Sequence, residues 1–300
     1  MDNGTSAFLL SLILLLAAAG LSSAQYRQRR FALIAGVGAT VMPWLAPPDP
    51  PLLRGGLAVW TTWGCGRVVD LVSDSQRRSF WRCVWHVFGL VDTRHATSVP
   101  SAVDWQAVGK TLAYAAAAIV GLLIVVDTAP LLRGSLYWGA RWFGGALFFY
   151  CLADAVDGGV RALYRVAGVA VSRQQVLPIA SRSVQEFWGR RWNRAVGAWL
   201  RAHCFLPFAR EGKIRTGLVA AFAASAVFHS YFTLVAVGRA MAGAMLIFFA
   251  VQGAVVLCEL QMSVTRWRPA LAHAWTVVAV LGCSPLFVEP ILRILGCTPR

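Results

Sequence analysis

Charged side chains are scarce in this sequence of 300 residues. They make up 14% of it, whereas a soluble globular protein carries about 25%. Acidic residues number 13 against 28 basic ones, and Lys110 and Lys213 are the two lysines. Hydrophobic residues make up 58% of the chain, and the mean hydropathy is +0.60. This composition excludes a disordered chain and a coiled coil, and it predicts a polytopic helical membrane protein.

Cysteine is limited to seven scattered residues, an odd number without any CxxC pair. Such spacing predicts neither a disulfide framework nor a zinc site. Metal-ligand spacing is also absent from His86, His95, His203 and His273, so we expect no metal. A net charge of +15 would suggest nucleic-acid binding in a soluble protein. Here the arginines lie between apolar runs, which indicates membrane topology and no nucleic-acid partner.

Eight apolar runs are candidate membrane spans, since a spanning helix needs about 20 mostly apolar residues. The third run is the weakest because it contains Arg54, Arg67 and Asp70, and it is compatible with a broken or re-entrant helix packed on protein. Most basic residues fall in loops on one side, which predicts an external N-terminus. We expect one all-α membrane domain over residues 1–300. The runs are 7–24, 31–46, 52–72, 111–126, 139–156, 217–237, 240–262 and 270–292.

A long basic loop, residues 157–216, separates the fifth and sixth runs on the predicted inner side. It is partly apolar, which is typical of amphipathic helices that lie along a membrane face. The first of these helices is predicted over residues 160–171. Ser183, followed three residues later by Glu186, has the pattern of a capping box, so a second helix should begin there.

Arginine dominates the predicted second helix of this loop. Arg190, Arg194 and Arg201 would fall on one stripe of it. Guanidinium groups bind phosphate bidentately, so the stripe could contact lipid phosphates or the phosphates of a soluble nucleotide. The sequence leaves both interpretations open.

One ionisable residue, His229, lies well inside the apolar sixth run. An ionisable group within a span costs several kcal/mol and is by default a functional hypothesis. Ser225 precedes it by one helical turn and can hydrogen-bond the imidazole ring. The alternative is a neutral histidine that only packs.

Other polar residues near the spans have a more ordinary interpretation. Asp154 and Asp157 lie where the fifth run ends, and Gln252 and Glu259 lie within the seventh. Buried charges are usually paired, so we expect each of these four to pair with an arginine.

Two sequence blocks resemble the membrane-bound O-acyltransferase superfamily, in particular its wax synthase branch, which includes terpenoid acyltransferases. "EFWGRRWN" over residues 186–193 is similar to the aromatic, arginine-rich block of that family, which ends in asparagine. "SAVFHSYF" over residues 225–232 is similar to the block around the family histidine. The order and separation of the two match the family pattern, and the resemblance covers residues 180–235. Several relatives have an acidic residue where this chain has Ser230, so no polarising carboxylate is carried over.

The resemblance implies an O-acyltransferase that moves an acyl group from acyl-CoA to the hydroxyl of a fatty alcohol, sterol or terpenoid. It implies His229 as the general base. Asn193 would hydrogen-bond the oxyanion or hold the acyl or pantetheine part. Acyl-CoA would be a co-substrate, with no permanently bound cofactor. The residues implied for CoA binding are Arg190, Arg191, Arg194, Trp188 and Trp192, with Ser225 and Glu186 in support.

Two other functions remain open from the sequence. One is a transporter or channel in which His229 relays protons. The other is a non-catalytic relative that binds lipid. In every case membrane lipid is a partner, in the endoplasmic reticulum of a eukaryote or the inner membrane of a bacterium. The sequence indicates neither the oligomeric state nor the acyl chain length.

Overall fold

Helices form most of the described chain. The computed structural model describes residues 2–24 and 26–299, and within them strands are limited to the short antiparallel pair β1 (Thr97–Ser98) and β2 (Val169–Ala170). The predicted all-α fold is confirmed. The helices are α1 (Asn3–Ser23), α2 (Tyr26–Val41), α3 (Pro51–Ser73), α4 (Phe80–Phe88), α5 (Trp105–Leu123), α6 (Gly134–Val166), α7 (Val184–Glu186), α8 (Arg194–Leu200), α9 (Leu206–Ala209), α10 (Ile214–Val237), α11 (Arg239–Met262), α12 (Pro269–Gly282) and α13 (Pro285–Ile294).

Fewer helices than the eight predicted spans have the length and hydropathy of a membrane span. Within residues 2–24 and 26–299, five helices are long and apolar enough to cross a bilayer, or six if α12 and α13 count as one span bent by 42°. Helix α2 has 16 residues, which is about 24 Å, shorter than a hydrocarbon core of about 30 Å. The bend follows from Pro285, which cannot donate a backbone hydrogen bond to the preceding turn.

The amphipathic helix predicted over residues 160–171 is also wrong. Instead α6 is one helix of 33 residues that continues to Val166, a length of about 50 Å. Gly168, with φ +73°, follows this helix, and β2 then pairs with β1. Glycine adopts this left-handed conformation without steric cost. Helix α6 is therefore longer than the bilayer core is thick.

Helices α5 and α6 pack closely because two glycines face each other. A Cβ atom placed on Gly121 would lie 2.6 Å from the backbone nitrogen of Phe148, and one on Gly144 would lie 2.8 Å from the carbonyl oxygen of Gly121. Any larger residue would force the backbones apart. Small residues at such crossings are typical of membrane helices.

Residues 1–94, 228–242 and 293–296 form one compact unit, called unit 1 below. Its apolar core joins α1, α2, α3 and α4 through residues such as Leu15, Ala32, Val68 and Val87. Helix α3 is continuous, so the interpretation as a broken or re-entrant helix is wrong. Its charged residues Arg67 and Asp70 are 2% and 1% exposed, which places them inside protein.

A buried ionic network explains how α3 tolerates these charges. Asp70 Oδ2 lies 3.2 Å from Arg67 Nη1 and 3.4 Å from His86 Nε2, and its Oδ1 lies 3.2 Å from Arg94 Nη2. The Arg67 guanidinium also stacks on Trp63, 4.0 Å from the ring centroid. Burial lowers the pKa of His86 despite the neighbouring Asp70. Arg94 Nη2 also lies 2.7 Å from Asp92 Oδ2. The network therefore compensates the two arginines with two carboxylates, Asp70 and Asp92.

Residues 95–227, 243–292 and 297–300 form the second compact unit, unit 2. Arg141 of α6 binds Glu289 of α13, with Nε 2.8 Å from Oε2, and also donates to the Cys297 carbonyl. Both side chains of the pair are buried. This ion pair joins α6 to the C-terminal helix α13.

Candidate active site

The capping box predicts the start of α7 correctly. Ser183 Oγ accepts the backbone N–H of Glu186 at 2.9 Å, and α7 begins at Val184. The return bond is shifted by one residue, because Glu186 Oε2 accepts the N–H of Arg182 at 2.8 Å. The local hydrogen bonds thus satisfy backbone donors on both sides of the cap.

The helix that begins here ends much earlier than predicted. After α7 the chain makes a π-helical turn over Phe187–Arg191, and Trp192 is extended. Asn193 adopts a left-handed conformation with φ +39° and then caps α8, its Oδ1 accepting the N–H of Val196 at 3.4 Å. Asparagine tolerates this conformation better than most residues. Arg190 and Arg194 therefore lie on different elements, and the predicted single stripe with Arg201 is wrong.

Glu259 of α11 holds the start of this block. Its side chain is 4% exposed. The carboxyl oxygens accept the backbone N–H groups of Val184 at 2.7 Å and Gln185 at 2.9 Å, and the indole N–H of Trp275 at 2.9 Å. These amides are the first donors of α7, which have no partner within the helix. A side chain from a membrane-spanning helix thus fixes the position of the loop.

Asp157 and His273 make similar bonds to the loop that precedes and contains the block, residues 172–194, called the site loop below. Asp157 of α6 accepts the N–H groups of Gln174 at 2.9 Å and Gln175 at 3.3 Å. His273 Nδ1 of α12 donates to the Ser181 carbonyl at 3.0 Å. Three helices therefore bind the backbone of one loop.

The expectation that four polar residues pair with arginines is half right. Asp154 lies 3.7 Å from Arg173 and Asp157 lies 3.5 Å from Arg161, which confirms it for the two aspartates. It is wrong for Glu259, which binds backbone amides and Trp275. It is also wrong for Gln252, whose Oε1 accepts the indole N–H of Trp188 at 2.8 Å.

The arginines of the block differ in their partners. Arg191 Nε lies 2.7 Å from Glu186 Oε1, and its Nη1 donates to the Val176 carbonyl at 3.2 Å. Burial alone would raise the pKa of Glu186, but hydrogen bonds from the Arg182 amide and Arg191 lower it below its usual range. Arg190 and Arg194 are exposed, although Arg194 Nη1 donates to the Arg173 carbonyl at 3.2 Å. Arg190 and Arg194 are therefore accessible, whereas Arg191 holds the site loop together.

The aromatic residues of the block line an apolar cavity of about 120 Å³ within unit 2. Trp192 stacks on Phe187, with centroids 5.6 Å apart, and Trp188 packs against Phe249 at 5.8 Å. Apolar cavities of this size stay dry and bind apolar molecules. The lining residues are Ala146, Phe149, Tyr150, Pro178, Ile179, Phe187, Trp188, Trp192, Phe248, Thr276, Val277, Val280, Leu281, Ser284, Phe287 and Val288.

Gln252 fixes the indole ring of Trp188 in the cavity wall. Its side chain is fully buried in α11. Besides accepting from Trp188, it donates through Nε2 to the Ala279 carbonyl at 3.1 Å and to Cys283 Sγ at 2.8 Å. The structure thus places Trp188 inside the helix bundle of unit 2, bonded to α11.

His229 lies in the part of α10 that belongs to unit 1. Its half-buried ring packs between Phe228 and Phe232, with centroid distances of 5.1 and 5.5 Å. Ser230 Oγ donates to the Ala242 carbonyl at 3.0 Å, so this residue links α10 to α11. The ring therefore belongs to an aromatic cluster on α10.

The candidate residues fall in both units. The site loop and α8 bring together Glu186, Trp188, Arg190 to Trp192, Asn193 and Arg194 in unit 2, and Ser225 belongs to the same unit. His229 belongs to unit 1 and follows Ser225 by one turn of α10. Ser225 is buried, with 8% of its surface exposed.

Comparison with known proteins identifies this region. Residues 176–251 match the membrane bound O-acyl transferase family. The match contains both the asparagine block and the histidine block. The resemblance to the wax synthase-like branch of this superfamily is thereby confirmed.

The curated relatives are plant proteins. The chain is 30% identical to probable long-chain-alcohol O-fatty-acyltransferase 3 of Arabidopsis thaliana over 150 residues, which cover 45% of this chain and 44% of that protein. It is 31% identical to probable long-chain-alcohol O-fatty-acyltransferase 7 over 132 residues, 39% of each chain. For number 2 the identity is 29% over 129 residues, 39% of this chain and 38% of the relative. The aligned part spans less than half of each relative.

Sequence reasoning missed the residues that support the site. Glu259, Gln252 and His273 act on the site loop or its aromatic residues, and Tyr150 lines the cavity. Each is a polar residue on or beside an apolar helix, and that position was the sequence feature that could have identified it. Along the chain, Glu259 is 74 residues from Gln185, Gln252 is 64 from Trp188, and His273 is 92 from Ser181. Tyr150 is about 40 residues from Trp192. No local sequence pattern could reveal contacts at such separations.

We expect Glu259→Gln to loosen the site loop. The new amide group would direct a donor at N–H groups that need an acceptor, so the free energy of unfolding should fall by about 2–3 kcal/mol. Hydrogen exchange at the Val184 and Gln185 amides should become faster. Glu211→Gln is the matched control because Glu211 is exposed and pairs only with Lys213 among its described ion-pair partners. Unchanged exchange at both amides would contradict the anchoring role.

Proposed function

We propose that this protein is a membrane O-acyltransferase that transfers an acyl group from acyl-CoA to the hydroxyl of a lipophilic alcohol. The observation that carries the proposal is the family match over residues 176–251, which contains both Asn193 and His229. The names of the plant relatives, long-chain-alcohol O-fatty-acyltransferases, support a lipophilic alcohol as the acceptor. A fatty alcohol, a sterol and a terpenoid all fit that description. The proposed location is the endoplasmic reticulum in a eukaryote and the inner membrane in a bacterium.

His229 serves as the general base in this proposal. It takes the proton of the alcohol while the alcohol oxygen attacks the thioester carbonyl carbon. The tetrahedral intermediate then breaks its C–S bond, the CoA thiolate leaves, and the proton is returned from the imidazolium to the sulfur. Proton transfer of this kind contributes about 10²–10⁴ in rate. A histidine in this role must be neutral before it accepts the proton.

Asn193 hydrogen-bonds the oxyanion. Its Oδ1 caps α8, so the side-chain NH₂ group remains as the donor. A donor to an oxyanion contributes about 3–4 kcal/mol to the stabilisation of the transition state. The left-handed backbone of Asn193 and its bond to Gln175, whose Oε1 accepts the Asn193 N–H at 3.2 Å, support a fixed position for this amide.

Exposed guanidinium groups bind the CoA phosphates. Arg190 and Arg194 are the accessible arginines of the block, and Arg191 contributes by holding the site loop. The neighbouring apolar cavity, walled by Trp188 and Trp192, supports an aliphatic substrate and excludes the water that would hydrolyse the thioester.

We expect His229→Ala to lower kcat for ester formation by at least about 10²-fold, because no other group would take the alcohol proton. Transfer from radiolabelled acyl-CoA to a long-chain alcohol in reconstituted membranes measures this. His229→Gln should be equally inactive, since an amide is not a base. The control is His95→Ala, at an exposed histidine outside the block. Full transfer by a folded His229→Ala variant would refute the assignment.

Asn193→Asp and Asn193→Gly separate the two roles of Asn193. The aspartate keeps an oxygen for the α8 cap but loses the donor, so kcat should fall about 10²-fold or more while thermal stability is retained. Glycine keeps the left-handed backbone but loses the side chain, and it should be similarly inactive. If the glycine variant kept its activity, Asn193 would be needed only for backbone conformation.

Arg190→Ala and Arg194→Ala should each raise the KM for acyl-CoA by several-fold to about tenfold, with little change in the KM for the alcohol. The reason is that each removes a phosphate contact without breaking the fold. Arg191→Ala is the contrasting variant, because loss of its bond to Glu186 should lower the melting temperature and affect both substrates. Equal effects of all three variants on both KM values would argue against a CoA-binding role.

A further inference from the structure

Gln175 connects the two ends of the site loop. The residue is buried, with 4% of its surface exposed. Its side-chain Oε1 accepts the backbone N–H of Asn193 at 3.2 Å, across 18 residues of the chain. Gln175 is therefore the side chain that holds the backbone of the proposed oxyanion donor.

Backbone hydrogen bonds pair the same two stretches of the site loop around Asn193. The N–H of Val176 donates to the Arg191 carbonyl at 2.9 Å, and the N–H of Arg194 donates to the Gln174 carbonyl at 3.0 Å. Between these two bonds Asn193 adopts the left-handed conformation with φ +39°. Its own N–H donates to a side chain rather than to the facing backbone. The side-chain bond thus completes the pairing at the left-handed residue.

A carboxyl group of α6 holds Gln175 in turn. Asp157 Oδ2 accepts the backbone N–H of Gln175 at 3.3 Å, and its Oδ1 accepts that of Gln174 at 2.9 Å. Asp157 is 5% exposed, and Arg161 Nε lies 3.5 Å from its Oδ2. Hydrogen bonds to an ionised acceptor are stronger than those between neutral groups. Asp157 therefore fixes the backbone of Gln175 to a long helix of unit 2.

We propose that Gln175, held by Asp157, is a positioning residue for Asn193 in acyl transfer. This inference rests on the proposed function, in which the Asn193 amide donates to the oxyanion. Such a donor is effective because it is already in place before the reaction begins. A displacement of about 1 Å at the reacting groups can cost about 10²-fold in rate. Gln175 acts on the chemical step only through the position of Asn193.

Gln175→Met tests this role, because methionine has nearly the same length but offers no oxygen to the Asn193 N–H. We expect kcat for ester formation to fall about tenfold. The KM values for acyl-CoA and for the alcohol should each change by less than about twofold. Gln175→Glu keeps a side-chain oxygen and should restore kcat to within about threefold of wild type. The control is Gln106→Met, at an exposed glutamine of α5, which should leave kcat unchanged.

A double-mutant cycle distinguishes positioning from general damage to the fold. In the Asn193→Asp background the donor is already absent, so adding Gln175→Met should lower the residual kcat by less than about twofold. Asp157→Asn is a second variant, in case methionine disturbs the packing, because its NH₂ group would face one of the two amides that need an acceptor. It should lower kcat in the wild-type background and have little further effect in the Asn193→Asp background.

Hydrogen exchange separates this inference from the proposed function. At the Asn193 amide, without substrate, exchange should be faster in Gln175→Met than in wild type. Unchanged exchange would overturn the proposal, as would an equal loss of kcat in both backgrounds or a wild-type kcat in Gln175→Met. If exchange became faster but the wild-type protein transferred no acyl group, the proposed function would fail while the link from Asp157 to Asn193 stood.

Discussion

Burial of a carboxyl group within an apolar helix governs the architecture around the arginine-rich block. Glu259 has no water to solvate it, so its oxygens must find donors in the protein. The site loop supplies the backbone N–H groups of Val184 and Gln185, and α12 supplies the indole of Trp275. The first backbone amides of α7 in turn need acceptors, because they have no partners within their own short helix. Helix α7 has only three residues and could not hold its position by packing alone.

A second carboxyl group accepts backbone N–H groups at the other end of the site loop. Asp157 accepts the amides of Gln174 and Gln175, and Gln175 in turn accepts the amide of Asn193. A carboxyl group on α6 thus reaches Asn193 through one intermediate side chain. Residues whose conformation is fixed in this way can keep a donor in place without reorganisation, which is what stabilisation of an oxyanion requires.

Several polar side chains in and around the site loop are hydrogen-bonded to each other. Arg191 is bound to Glu186, and Gln252 is bound to Trp188. Arg190 remains exposed to solvent, where a guanidinium group is suited to a phosphate from water. Other residues of the site loop, among them Trp188 and Trp192, line the apolar cavity. The site loop therefore contacts both solvent and the apolar cavity.

Composition and apolar runs alone determined that this is an all-α membrane protein, because so few charges and such long apolar runs are typical of chains that span a bilayer. The two blocks indicated the family, since they are local in sequence. Local patterns failed where the outcome depended on distant partners: the capping box placed the start of α7, but not its end before Asn193. The tertiary structure decided that Glu259 binds backbone amides, that Arg191 pairs with Glu186 and that the charges of α3 are buried within unit 1. Which partner a buried polar side chain binds depends on its distance to that partner and on the cost of desolvation, and packing of the helices determines both.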